Sequence, residues 1–300
     1  MMDQNITATL ENILQRRPAV SELVRPFAAL FSEKMACIEP IRPHIPHWEI
    51  QPFHDRMMSG VPFLHSVSLD MLTTPFDMAA DIMLPAIRRS FPRLEPEIEA
   101  LLSHHHTGKL PLVSSVKRLL DGGFSELEAS ARSIDFSPDT LLFILHILTS
   151  TVLGSLGPEF HSAIDTVSWS EGYCPVCGAL PSIAFLAGPS ENPGEFLTDT
   201  GGRKFLHCWL CGHNWRFNRH ACPVCENTDK NLQIYLTVPG EPGERVDICH
   251  KCGMYLPCLD VREQAVGPHL DTAATGMVHL DLIAQQKGFQ PISRLPWNHI

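Results

Sequence analysis

Residues 208–225, CWLCGHNWRFNRHACPVC, hold two Cys-x-x-Cys pairs separated by ten residues. Two more pairs flank them, giving Cys174/Cys177, Cys208/Cys211, Cys222/Cys225 and Cys249/Cys252, with intervals of 30, 10 and 23 residues. Two thiols two residues apart in a tight turn converge on one ion, and the turn's N–H groups point at the sulfurs and spread their charge. Four thiolates form a tetrahedron suited to zinc or a single iron, so eight imply two such sites. A redox Cys-x-x-Cys usually comes singly, on a strand–helix unit. Four within 79 residues do not fit that chemistry. Glycine favours the φ > 0 that the residue after the second cysteine needs, and Gly178, Gly212 and Gly253 supply it. Glu226 stands at the fourth such position, which predicts strain or a different bend in the third knuckle. Pro175 and Pro223 pre-set φ inside two of the turns.

Loop lengths suggest which pairs meet. The ten residues between Cys211 and Cys222 carry one apolar strand, NWRF, and hardly allow a hairpin that brings their flanking knuckles together. The intervals of 30 and 23 residues each accommodate a hairpin. The expected metal sites are therefore Cys174, Cys177, Cys208 and Cys211, and then Cys222, Cys225, Cys249 and Cys252, with an interleaved cross-brace as the rival pairing. Cys37 and Cys258, left over, read as apolar packing residues.

The elements that must position these knuckles fall into three textures. Residues 1–168 hold no paired cysteine and read as a helical domain. Leu23, Phe27, Leu30, Phe31 and Met35 form one helical stripe, Thr74–Pro75 reads as a helix start, SSVKRLLDGG ends as helices do, and SPDTLLFILHIL sets Ser137, Pro138 and Asp139 ahead of an apolar helix. Prolines 40, 43, 46, 52 and 62 mark an irregular connection. From 169 onward, short β-like runs alternate with cysteine turns: 182–186, 204–208, 214–220, 232–238 and 245–249, each too short to build a sheet with its own core. ENPGEFLTDTGG and VPGEPGE read as hairpin tips. This gives modules at 169–219 and 220–267, followed by a C-terminal helix and tail at 268–300, in which Leu270, Ala273, Met277, Leu280 and Ala284 share a face. The fold class is α+β: an all-helical N-terminal domain, two tandem rubredoxin- or zinc-ribbon-like knuckle modules, and a closing helix.

Composition narrows the function. The 300 residues carry a net charge of −10, which argues against a general nucleic-acid binder. Binding two divalent ions through eight thiolates would move the balance to about −14. No basic stretch followed by an apolar core opens the chain, and the most apolar run, Leu141–Leu156, is short for a membrane span and carries hydroxyls and His146. The reading is a cytoplasmic protein in which structural disulfides are not expected. No Ser/His/Asp set, glycine-rich phosphate loop or helical zinc-protease motif is visible, so an enzyme is not expected. His104–His106 read as a solvated helix end, His146 as a satisfied core histidine, and His207, His213, His220 and His250 as knuckle neighbours rather than ligands. Between Asp199 and Glu226 there is no acid, while Arg203, Lys204, Arg216 and Arg219 are present. These cations offset the thiolate centres or form a basic face for an acidic partner. If the strand at 214–220 is regular, Trp215, Phe217 and Arg219 share the packing face and Arg216 projects from the other.

YCPVCGALPSIAFL, GGRKFLHCWLCGHNWRFNRHACPVCEN, ICHKCGMYL and DLIAQQKGF resemble the formate dehydrogenase accessory protein family, FdhE, from about residue 173 to 290, and SGVPFLHS at 59–66 is similar to a Gly-x-Pro stretch of that family. The order of four knuckles with Trp215 and Arg219 between the second and third is the specific part. The resemblance implies two rubredoxin-like modules each holding iron, with zinc the alternative, and a cytoplasmic role in binding the catalytic subunit of respiratory formate dehydrogenase before export. Arg216 and Arg219 are then the partner-binding candidates. Pro257 stands where the resemblance implies a lysine. Two other classes compete: a zinc-ribbon nucleic-acid binder and a rubredoxin-like electron carrier.

Overall fold

The computed structural model describes residues 2–107, 111–188, 202–241, 243–264 and 266–298. Helices α1 (Met2–Arg16), α2 (Ser21–Ile41), α3 (His54–Met58), α4 (Thr73–Ser90), α5 (Glu95–His106), α6 (Leu112–Leu120), α7 (Phe124–Ser133), α8 (Pro138–Gly154) and α9 (Pro158–Ile164) form the N-terminal region. Helix α8 is its axis. Ser137 caps it by accepting from the Thr140 N–H, and Leu141, Ile144, Leu145 and Leu148 are fully enclosed. Three buried hydroxyls return to the helix backbone: Ser150 and Thr151 donate to the Ile147 carbonyl at 3.0 and 2.8 Å, and Ser155 donates to that of Thr151 at 2.9 Å. Among the described residues no single helix is long and apolar enough to cross a membrane. The pair α7–α8 passes by length and composition only together, across a 116° bend.

Two helix boundaries differ from the sequence expectation. Helix α4 begins at Thr73, because Ser68 caps a 3-10 turn at Leu69–Leu72 that runs directly into it, so Thr74 lies inside the helix. Pro40 likewise lies within α2, and the remaining prolines of that stretch fall in or beside 3-10 turns at 42–44, 51–53 and 63–66.

The short strands solve their lack of a core by joining. Strands β1 (Ile183–Ala187), β2 (Arg203–His207) and β3 (Asn214–Arg216) form one antiparallel meander, and β4 (Gln233–Thr237), β5 (Glu244–Cys249) and β6 (Met254–Asp260) another. A parallel seam between β1 and β6, with Ala184 opposite Cys258 and Leu186 opposite Asp260, fuses them into one sheet of order β3-β2-β1-β6-β5-β4. Strand β6 carries no strand signature in the sequence. Its run MYLPCLD is buried along its middle on both faces and so lacks the alternation that marks a half-exposed strand. The hairpin tip expected at 191–202 lies almost wholly outside the described residues.

The C-terminal segment forms two helices rather than one: α10 (Leu270–Gly276) and α11 (Val278–Gln286). Helix α10 presses its last turn onto α1 so closely that a Cβ at Gly276 would lie 2.6 Å from Ile13 Cδ1. After α11, Gly288 takes φ +87° and the Phe289 N–H returns to the Ala284 carbonyl at 3.1 Å, closing the helix. The chain then adds β7 (Gln290–Pro291) beside β6 and drives Trp297 between Phe27, Phe31 and Trp209. Helices and sheet thus share one apolar core.

Candidate metal centres

Each knuckle is a closed turn built the same way. The N–H four residues after the first cysteine donates to that cysteine's carbonyl: Gly178 to Cys174 at 2.9 Å, Gly212 to Cys208 at 2.7 Å, Glu226 to Cys222 at 3.0 Å and Gly253 to Cys249 at 2.9 Å. The donor residue is left-handed in all four, with φ of +77°, +75°, +55° and +73°. Glu226 therefore does not bend its knuckle differently. It adopts the conformation of the glycines and carries the Cβ strain that they avoid, about 1–2 kcal/mol. Turn N–H groups also reach sulfur: those of Val224 and Cys225 toward Cys222, and those of Lys251 and Cys252 toward Cys249.

The sheet brings the eight cysteines together as two groups of four. Cys174, Cys177, Cys208 and Cys211 form the first, and Cys222, Cys225, Cys249 and Cys252 the second. In the first, sulfurs approach at 3.4 Å (Cys174–Cys211), 3.5 Å (Cys177–Cys208) and 3.9 Å (Cys177–Cys211). In the second, Cys222–Cys252 and Cys225–Cys249 are each 3.7 Å apart. A tetrahedron with metal–sulfur bonds of about 2.3 Å has edges of about 3.8 Å. Both groups fit one tetrahedrally coordinated ion, and the donor set is the same for zinc and iron. No histidine or carboxylate joins either group among the described residues.

Electrostatics make the same point. Burial pushes the Cys174 and Cys211 thiols well up, whereas hydrogen bonds from Cys174, Cys177 and Cys211 overcome burial and draw Cys208 well down. Such a cluster holds one thiolate comfortably, and four only around a cation.

The surroundings of the two groups differ. The first lies wholly inside the molecule. The Phe63 and Leu64 N–H groups donate to the Pro175 and Val176 carbonyls at 2.9 Å each, so the 59–66 stretch clasps the first knuckle. Tyr173 reinforces the clasp by donating to the Gly60 carbonyl at 2.7 Å. Trp209 packs on His146 and Trp297, and His213 stacks on His161. Burial lowers His146 to about 4, leaving it a neutral packing residue. The His207 ring bonds Asn214 Oδ1 at 2.7 Å and Asp271 Oδ1 at 3.0 Å. The second group is half-buried, with Cys225 and Cys252 reaching solvent. It meets the first through Gly172, where a Cβ would overlap the Pro223 carbonyl.

Arg216 is exposed at the end of β3, where the regular strand stops, and Arg219 is half-buried three residues on. Trp215 and Phe217 turn inward, and Trp215 Nε1 donates to the Glu171 carbonyl at 3.1 Å. At the helical end His105 Nε2 lies 3.2 Å from Asp77 Oδ1. Cys37 and Cys258 are buried apart from both groups. Cys37 lies against Met83, and Cys258 sits on the β1–β6 seam, where burial raises its thiol to about 12. The Gly172–Pro223 contact and the β1–β6 seam had no signature in the sequence, whereas the Gly-x-Pro stretch did.

The resemblance read from the knuckles is borne out by comparison with known proteins. The chain is 28% identical over 209 residues to the protein FdhE homolog of Aquifex aeolicus, a match that spans 68% of this chain and 62% of that protein. It is 30% identical over 186 residues to the homolog of Actinobacillus pleuropneumoniae serotype 3 (59% and 56%) and 29% identical over 202 residues to protein FdhE of Salmonella choleraesuis (62% and 59%). The chain therefore matches less than two thirds of the length of these relatives. Its fold is that of the crystal structure of the FdhE protein from Pseudomonas aeruginosa, with a TM-score of 0.67 over 97% of this chain and 95% of that one, at 19% identity. No protein-family model matches the chain.

Proposed function

We propose that this chain, an FdhE-like protein in sequence and fold, is a metal-binding accessory factor for respiratory formate dehydrogenase that binds the catalytic subunit in the cytoplasm before export. The observation that carries the reading is the pair of four-sulfur groups set in one sheet, the first of them clasped by the helical region. The proposed ligands are Cys174, Cys177, Cys208 and Cys211 for one ion and Cys222, Cys225, Cys249 and Cys252 for the other. The family resemblance favours iron, and the sulfur geometry accepts zinc equally. Zinc would supply a crosslink alone, whereas iron would add a one-electron couple. We read the protein as an assembly factor rather than an enzyme, with Arg216 and Arg219 as its proposed partner contacts.

The test has two parts. Metal analysis and an optical spectrum of protein purified without oxygen separate red ferric tetrathiolate from colourless zinc and read the number of ions, expected to be two per chain. A pull-down then asks whether the metal-loaded chain captures the formate dehydrogenase catalytic subunit. Arg216→Glu should keep both ions and weaken capture, whereas Trp215→Ala should loosen the modules themselves. Absence of capture by the parent protein would overturn the reading. The half-exposed sulfurs of the second group favour one alternative, a rubredoxin-like electron carrier. A reversible one-electron couple with fast turnover against a reductase would select it.

A further inference from the structure

Strand β4 ends the sheet, and among the described residues nothing pairs its outer side. It also breaks the burial rule that its neighbours keep. The inner strands β1, β5 and β6 are mostly enclosed, whereas β4 is exposed or half-exposed at every position. Three apolar side chains are nonetheless spent on and beside it: Leu232 is 36% exposed, Ile234 40% and Tyr235 63%. An open, apolar edge strand is a template for another strand, and proteins usually blunt such an edge.

Beside this edge runs a groove of about 230 Å³, floored by β4, β5 and β6 and walled by the segment 219–223 that leads into the third knuckle. Its lining is cationic on an acidic protein. Among the described residues, Lys204, Arg219, Lys230 and Arg245 border it, against the single carboxylate of Asp247. Lys204 and Arg245 both bind Asp247, at 2.8 Å each, so this carboxylate is already shared between two cations. The Arg245 guanidinium also lies 5.2 Å over the Tyr235 ring, holding that ring at the groove. Cys222 and Cys249 of the second sulfur group line the same groove.

We propose that β4 and this groove are a docking site for an extended, acidic segment of a partner polypeptide, which adds as a strand to β4 and places its carboxylates among the groove cations. Strand addition takes affinity from the backbone and specificity from alternate side chains. Ile234 and Tyr235 lie on opposite faces of β4, so apolar residues of the segment would cover Ile234 while its alternating acids, on the Tyr235 face, would meet Lys230. The charge excess selects an acidic segment over a second copy of β4, whose edge would set the same cations, Lys230 and Arg245, against themselves. The site names the partner chemistry of the accessory reading and rests on it for the partner's identity.

The experiment uses the full, metal-loaded chain and two fluorescent decapeptides, one alternating Glu with Val and one alternating Lys with Val. Anisotropy should show the Glu peptide binding, with affinity falling as salt rises, and no binding of the Lys peptide. Lys230→Glu and Ile234→Glu, both at exposed positions, should each weaken the Glu peptide by about tenfold or more with both metal ions retained. Amide hydrogen exchange should slow at residues 233–237 when the Glu peptide binds. Equal binding of the two peptides, no protection of β4, or self-association that buries β4 in sedimentation and exchange measurements would overturn the proposal. Capture of the catalytic subunit, undiminished in both variants, would overturn the groove while leaving the accessory reading intact. Peptide binding without capture of the subunit would do the reverse.

Discussion

The two sulfur groups are built from the same knuckle, yet one is sealed in the common core of helices and sheet and the other stands half-open at the sheet's far end. Below them, the same contrast recurs in two aspartates ten residues apart. Asp271, on α10 under the first module, is drawn down to about 2 despite its burial by Lys34 and His207. Asp281, on α11 under the second, is raised by burial to about 7 and accepts a 2.8 Å hydrogen bond from the Tyr255 hydroxyl. One module is riveted to the helices by charges, and the other rests on them through a carboxyl that is largely neutral below pH 7. The lesson is that a repeated local motif acquires different roles from what packs against it. The first is suited to holding the protein together and the second to meeting something outside.

The largest break in this comparison should come from removing sulfur ligands. Cys208→Ser with Cys211→Ser should lose one metal equivalent and lower the melting temperature far more than Cys249→Ser with Cys252→Ser, which should also lose one equivalent. Metal binding to such sites is worth about 10–16 kcal/mol, but only the first site shares its core with the helices. Metal content and thermal melts of the two variants check this, and equal melting temperatures would erase the asymmetry. Retention of both metals in the first variant would overturn the proposed ligand pairing.

A smaller contrast lies in the aspartates. Asp271→Asn strands Lys34, 3.7 Å away and buried, and should cost about 3–5 kcal/mol. Asp281→Asn should behave oppositely, and with pH. The folded Asp281 carboxyl sits above its unfolded value, so the folded state binds its proton more tightly. Stability is therefore lost as pH rises from about 4 to about 7 and stays lost above that range. The asparagine cannot ionise, and its oxygen can still accept from Tyr255. Denaturant titrations should find it close to the parent near pH 4 and about 1–3 kcal/mol more stable at pH 8. A parallel pH dependence in parent and variant would refute the neutral carboxyl.

Gly172→Ala tests the contact between the modules. Its methyl would run into the Pro223 carbonyl and push the third knuckle away, at about 1–3 kcal/mol, with easier loss of metal from the second site to a chelator. Gly267→Ala, where nothing lies within 4 Å, is the control. The smallest effect belongs to Glu226→Gly, which relieves left-handed strain and should stabilise the second module by about 1 kcal/mol, visible as a small upward shift in its chelator resistance.

The knuckles, the grouping of their eight cysteines and most of the helices could be read from the chain. Loop length limits which thiols can meet, φ preference places glycine after three of the four pairs, and helical stripes repeat every few residues, all of them short-range constraints. The β1–β6 seam joins residues more than seventy positions apart, and a strand buried on both faces shows no alternation by which to find it. The break between α10 and α11 sits where Gly276 meets Ile13, a contact across almost the whole chain. The ionisation of Asp271 and Asp281 was also invisible, because identical buried side chains are charged or neutral according to whether cations such as Lys34 and His207 lie beside them to offset burial. The sequence alone determined that this protein gathers two sets of four thiols in tandem turns. Only the tertiary structure decided which set is enclosed and which faces outward, because enclosure depends on segments that approach from far along the chain and leave no local pattern.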